Sequence, residues 1–136
     1  MYDATSLHEE FDGERVPPGQ RETTRFPVLS KSGTPSVDLS EWTLDVWGAV
    51  NERLELDFDA LRGLDTETQR QDFHCVTGWS RLDNEFTGVT FPTIVEAAGV
   101  TDEAVHVMFH AADGYTTNLP LDTCTRREML VTWEHD

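Results

Sequence analysis

Asp72-Phe73-His74-Cys75-Val76-Thr77-Gly78-Trp79-Ser80 is the stretch on which the reading of this chain turns. A strand-like run enters it and breaks at a glycine followed by an aromatic. A thiolate placed at such a break can be held rigidly while still facing a cavity. Upstream, a polar strand from about Thr66 leads into Cys75. Downstream, Gly88-Val89 opens a short amphipathic helix. Thr90 is its N-cap, Pro92 suits its first turn, and Phe91, Ile94, Val95 and Ala98 form an apolar stripe at helical spacing before Gly99.

Further out, the side chains from Trp42 to Val50 alternate, with Trp42, Leu44 and Val46 on one face and Thr43, Asp45 and Trp47 on the other, as in a half-buried strand. Leu54-Glu55-Leu56 continues as a second strand, and Asp57 caps one or two helical turns through Leu61 that stop near Gly63. Ala104 to Ala111 alternates again, Asp113-Gly114 is a turn, and Tyr115 to Leu119 returns as a hairpin. Met129 to Trp133 reads as a last strand whose partner is missing, which predicts a homodimer through an open sheet edge. Residues 1–40, polar and broken by Val16-Pro17-Pro18-Gly19-Gln20 and Lys31-Ser32-Gly33-Thr34-Pro35, predict an extended arm. Its apolar island Phe26-Pro27-Val28-Leu29 would pin it across the body formed by 41–136. Short strands with a few small helices predict an α+β, mainly β domain.

The chain has 136 residues and a 38% share of hydrophobic residues, enough for one domain with a real core rather than a disordered segment. Its net charge of -16 comes from 26 acidic against 10 basic residues, and Lys31 is the sole lysine. An acidic, lysine-poor surface suits a halophilic protein, in which a short Debye length screens self-repulsion; an acidic interaction surface is the rival reading. Either way, binding to a nucleic acid backbone, which needs clustered cations, is excluded. Cys75 and Cys124 form no Cys-x-x-Cys pair and no disulfide framework. No secretory signal or membrane-length apolar run is visible, so a cytoplasmic, reducing setting is expected.

A free cysteine usually packs as a small hydrophobe, and Cys75 alone would suggest no more. His106 and His110 would suggest a zinc pair on a helix, but the alternation of Val105, Val107 and Phe109 with His106, Met108 and His110 indicates a strand. Cys124, on a surface-like Thr-Cys-Thr-Arg-Arg stretch, reads as an uninvolved thiol.

Cys-Val-Thr-Gly-Trp-Ser at 75–80, followed by Gly88-Val89 and a helix, resembles the molybdenum-binding segment of the sulfite-oxidase-type oxidoreductases. The resemblance extends to Pro17-Pro18-Gly19-Gln20-Arg21, Arg25-Phe26-Pro27-Val28-Leu29, the Trp42 to Gly48 strand and Asp113-Gly114-Tyr115-Thr116-Thr117. It thus spans most of the chain from about residue 17. It implies a molybdenum-molybdopterin cofactor with Cys75 as the one protein ligand of the metal. Arg25 would supply a cation to the pterin or the substrate, or else be a solvated arm residue. Phe26, His74 and Trp79 would line the cofactor pocket. Asp113, if more than an ordinary turn residue, would accept a hydrogen bond from the pterin, with Tyr115 beside it. Oxygen-atom transfer with a small-molecule oxo donor or acceptor is the implied reaction. No haem, flavin or cluster motif is present, so electrons would leave singly to a partner protein.

Two departures accompany the resemblance. Thr23-Thr24-Arg25 stand where sulfite oxidases carry Arg-Asn-His, which puts sulfite in doubt and leaves a neutral sulfoxide or N-oxide open. The family's later Gly-x-Pro-hydrophobic-Arg segment and its phosphate-gripping cations do not occur in residues 1–136. The resemblance therefore predicts the first part of the fold, truncated, with weak cofactor binding. The alternative is a non-catalytic fragment or binding module that keeps the fold without cofactor.

Overall fold

The computed structural model describes residues 2–3, 15–126 and 128–136. Residues 4–14 of the predicted arm lie outside the described residues. The chain is mainly strand, as its alternating apolar pattern requires, and it divides into two compact units: residues 1–29, 67–88 and 132–136, and residues 30–66 and 89–131.

The first unit is built on one sheet. Its strands are β1 (Tyr2–Asp3), β2 (Arg21–Glu22), β5 (Thr66–His74), β6 (Trp79–Thr90) and β9 (Leu130–His135), in the order β1-β5-β6-β2 with β9 also paired to β6. β2 runs parallel to β6 with Arg21 opposite Trp79 and Glu22 opposite Ser80, which lays the arm directly along the strand after Cys75. Thr68 and Thr87 hydroxyls meet at 2.7 Å between β5 and β6, and Thr132 Oγ1 donates to the Thr87 carbonyl at 2.8 Å. β9 therefore has its partner in β6. The expectation that the last strand lacks a partner is corrected. β6 was hidden in the sequence because Arg81, Asp83, Asn84 and Glu85 break its alternation. Gly88 and Val89 belong to this strand, so the helix opens later than expected.

Much of what is buried in this unit is polar: Gln69, Ser80 and Asn84 are fully buried beside Trp79. Asn84 donates its amide to the carbonyls of Gln71 and Arg81, so burial does not leave it unsatisfied. Arg15 anchors the arm. Its Nε and Nη2 take the two oxygens of Asp72, and Nη2 reaches Asp83 Oδ1 at 2.8 Å. Asp83 sits at φ 57°, and its backbone N–H also donates to Asp72.

In the second unit β3 (Thr43–Val46) and β4 (Leu54–Asp57) pair antiparallel, with Leu44 opposite Leu56. Leu44 and Val46 are half-buried while Thr43 and Asp45 are exposed, as the alternation predicts, although the strand ends before Trp47. Asp57 caps α1 (Phe58–Arg62) by accepting from Ala60 N–H at 2.7 Å. α2 (Phe91–Ala98) has Thr90 as N-cap, a proline in its first turn, and Gly99 at φ 65° to end it. A Cβ at Gly99 would lie 2.9 Å from Asn51 Nδ2, so a side chain there would be strained in conformation and would have to displace Asn51. β7 (His106–His110) and β8 (Thr116–Pro120) form the predicted hairpin, with His110 opposite Thr116. His106 and His110 share the exposed face of β7, and strand geometry keeps them about 13 Å apart. Cys124, in α3 (Leu121–Cys124), is fully buried rather than on a surface-like stretch, and desolvation raises its pKa.

Candidate active site at Cys75

β5 delivers Cys75 into a tight turn that β6 receives. Cys75 N–H donates to Trp79 O at 2.9 Å and Gly78 N–H to Cys75 O at 3.0 Å, with Gly78 at φ 94°. That positive φ is why a glycine precedes the aromatic. The turn aims polar hydrogens at the sulfur. Thr77 Oγ1 donates to Cys75 Sγ at 3.1 Å. This hydroxyl first, then the backbone N–H of Thr77, hold the thiol below its ordinary pKa against the opposing effect of burial. The thiolate is the form that ligates metal.

Cys75 lines an open recess of about 360 Å³ together with Phe26, Pro27, Val28, Leu29, Phe73 and Trp79. Phe26 organises one wall. Its ring lies 4.9 Å from Phe73, 5.1 Å from Trp79, 4.8 Å from His135 and 6.4 Å from Phe86. The arm is thus pinned by one residue of its apolar island, because Val28 and Leu29 remain 82% and 61% exposed. Trp79 is 5% exposed, and its indole N–H is buried with no hydrogen-bond partner among the described residues.

Five of the residues singled out in sequence fall in this unit. Cys75, Phe26 and Trp79 meet at the recess. His74 turns its Nδ1 to Ser80 Oγ at 2.8 Å. Arg25 is exposed, its backbone N–H donates to Thr23 Oγ1, and its side chain is not among those lining the recess. Asp113 and Tyr115 belong to the second unit. There Asp113 Oδ1 accepts from Tyr115 N–H at 2.9 Å in the hairpin turn, and Lys31 Nζ lies 5.1 Å from the centre of the Tyr115 ring. Sequence reasoning missed Gln20 and Ser80, which bracket the Cys75 turn, and Arg15 with Asp72. Gln20 had a signal, its place in Pro17-Pro18-Gly19-Gln20, but only as a turn.

The donor set suits a thiophilic metal. A single activated thiol stands at the rim of an apolar recess, and the buried indole N–H beside it is an unused donor. The chain belongs to the family described as oxidoreductase molybdopterin binding domain, whose pattern matches residues 31–136. It is similar to an uncharacterized oxidoreductase of Bacillus subtilis, YuiH, at 44% identity over 137 residues, covering 100% of this chain and 69% of that protein. It also resembles an Azospira oryzae protein named "Putative protein-methionine-sulfoxide reductase subunit YedZ1", at 29% identity over 132 residues, covering 93% of this chain and 50% of that one. No helix among the described residues is long and apolar enough to cross a membrane.

Proposed function

We propose that the chain contributes the metal-ligand side of an oxygen-atom-transfer site, with the Cys75 thiolate as the protein ligand of molybdenum and a neutral sulfoxide or N-oxide as the oxo compound. The observation that carries this is Cys75 Sγ itself, held by Thr77 at the mouth of an apolar recess. When bound, the molybdenum cofactor supplies a centre that exchanges an oxygen atom and two electrons with the substrate. The residues around it bind and orient. Phe26, Phe73 and Trp79 give an apolar wall, and among the described residues no arginine or lysine lines it, which favours a neutral substrate over the sulfite anion. Arg21 and Arg25, both exposed on the same arm, are the cations we assign to the cofactor's anionic groups. A separate one-electron partner completes the cycle, in keeping with the word "subunit" in the name of the Azospira relative.

The test compares Cys75→Ser with Cys124→Ser in a host that makes the cofactor. Molybdenum content and dye-driven reduction of a sulfoxide are measured. Cys75→Ser should lose activity to background because a hydroxyl is a harder and far less acidic ligand, while Cys124→Ser keeps it. Equal activities would remove Cys75 from the reaction. A wild-type chain that never carries molybdenum would favour a non-catalytic module.

A further inference from the structure

We propose that Gln20 is a positioning residue for Cys75, its side-chain amide tying the peptide unit after the thiol to Ser80 on the far side of the turn. The proposal rests on the reading of Cys75 as metal ligand. Gln20 Nε2 donates to Cys75 O at 3.0 Å, and Gln20 Oε1 accepts from Ser80 Oγ at 3.0 Å. The orientation of the amide is forced, because the carbonyl can only accept and so must face the NH2 group. Ser80 then spends its proton on Gln20, and its oxygen accepts from His74 Nδ1 at 2.8 Å. Ser80 is fully buried, so water does not compete for these bonds.

Gln20 is itself fixed. Its N–H donates to Pro17 O, Arg21 N–H to Gly78 O, and Thr23 N–H to Ser80 O, at 3.1, 2.8 and 2.8 Å. The Cys75 carbonyl also accepts from Gly78 N–H, so both of its lone pairs are used. That carbonyl shares one rigid peptide plane with Val76 N–H, the first peptide unit of the turn that carries Thr77, whose hydroxyl donates to Sγ at 3.1 Å. Gripping one end of the plane fixes the other. The amide of Gln20 therefore fixes the peptide unit that leads from the ligand residue into its turn.

The experiment uses the full chain in two forms. In the metal-free protein, amide hydrogen exchange is read by NMR for wild type, Gln20→Glu and Gln20→Met. Glutamate keeps an acceptor for Ser80 but cannot donate to Cys75; methionine can do neither. Both variants should accelerate exchange at Cys75 and Gly78 by about tenfold, the equivalent of one net hydrogen bond, with Val107 and Leu119 in the β7–β8 hairpin unchanged. Ser80→Ala, which removes the other end of the tie, should give the same local pattern. Unchanged exchange at Cys75 and Gly78, or equal acceleration throughout the chain, overturns the proposal. In the cofactor-loaded protein, Gln20→Glu should shift the thiolate-to-molybdenum charge-transfer band, and an identical band also overturns it. A loaded wild-type chain without that band refutes the ligand reading of Cys75 instead, while the exchange data still decide the tie.

Discussion

Replacing Phe26 by alanine tests whether one aromatic ring holds the arm to the Cys75 strand. Phe26 is 37% exposed, so roughly two thirds of the residue is buried, with its ring against Phe73, Trp79, Phe86 and His135. Truncating a fully buried phenylalanine costs about 3–5 kcal/mol, and scaling by the buried share leaves about 2–3 kcal/mol. With a urea slope of about 2 kcal/mol/M, the denaturation midpoint should fall by about 1–1.5 M. The measurement belongs in concentrated potassium chloride, where repulsion from the net charge of -16 is screened. Val28→Ala is the control, because Val28 is 82% exposed and its loss should stay within about 0.5 kcal/mol. Equal midpoints for the two variants would refute the idea that Phe26 alone anchors the island. A change in Trp79 fluorescence should accompany Phe26→Ala, since the two rings meet edge-on at 5.1 Å.

Gly99→Ala should lower the thermal midpoint by about 3–8 °C, because the left-handed conformation and the 2.9 Å approach to Asn51 together cost about 1–2 kcal/mol. The thermal midpoint should rise from dilute buffer to molar potassium chloride, since screening relieves an excess of 26 acidic over 10 basic residues; a midpoint unmoved or lowered by salt would remove the halophilic reading. In the folded, metal-free chain iodoacetamide should label Cys75 well before Cys124, because Thr77 lowers the pKa of the first while burial raises that of the second. Peptide mapping checks this, and equal labelling would mean that the turn does not activate Cys75.

Local signals were legible wherever a single residue type answers a single backbone need. Asp57 and Thr90 as caps, Gly99 as a helix stop and Asp113-Gly114 as a turn all fall where the chain said they would. The α+β, mainly β class followed from short strands with a few small helices, and the family from the ordered motifs around Cys75. What stayed hidden is non-local. β6 reads as polar because Asn84 and Ser80 are buried by bonds to distant residues, and no alternation marks that. The pairing of β9 with β6 and the reach of Gln20 to Cys75 depend on contacts far along the chain, which spacing does not encode. Cys124 looked superficial because its neighbours are polar, yet its own side chain turns inward.

The grip of Arg15 on Asp72 and Asp83 bears on which cation this chain can use. Three carboxylate oxygens are engaged by two nitrogens of one planar group, and the Asp72 side chain has no exposure to solvent. An ammonium is a point charge on a flexible stem and cannot present two fixed donors to one carboxylate while reaching a second. Arg15→Lys would therefore leave Asp72 and Asp83 facing each other with only partial compensation, in a molecule already crowded with negative charge. Where basic residues are scarce, each one must neutralise more than a single acid, and the guanidinium is the side chain shaped for that duty. The near absence of lysine from this chain has at this site a local, geometric reason as well as a global one.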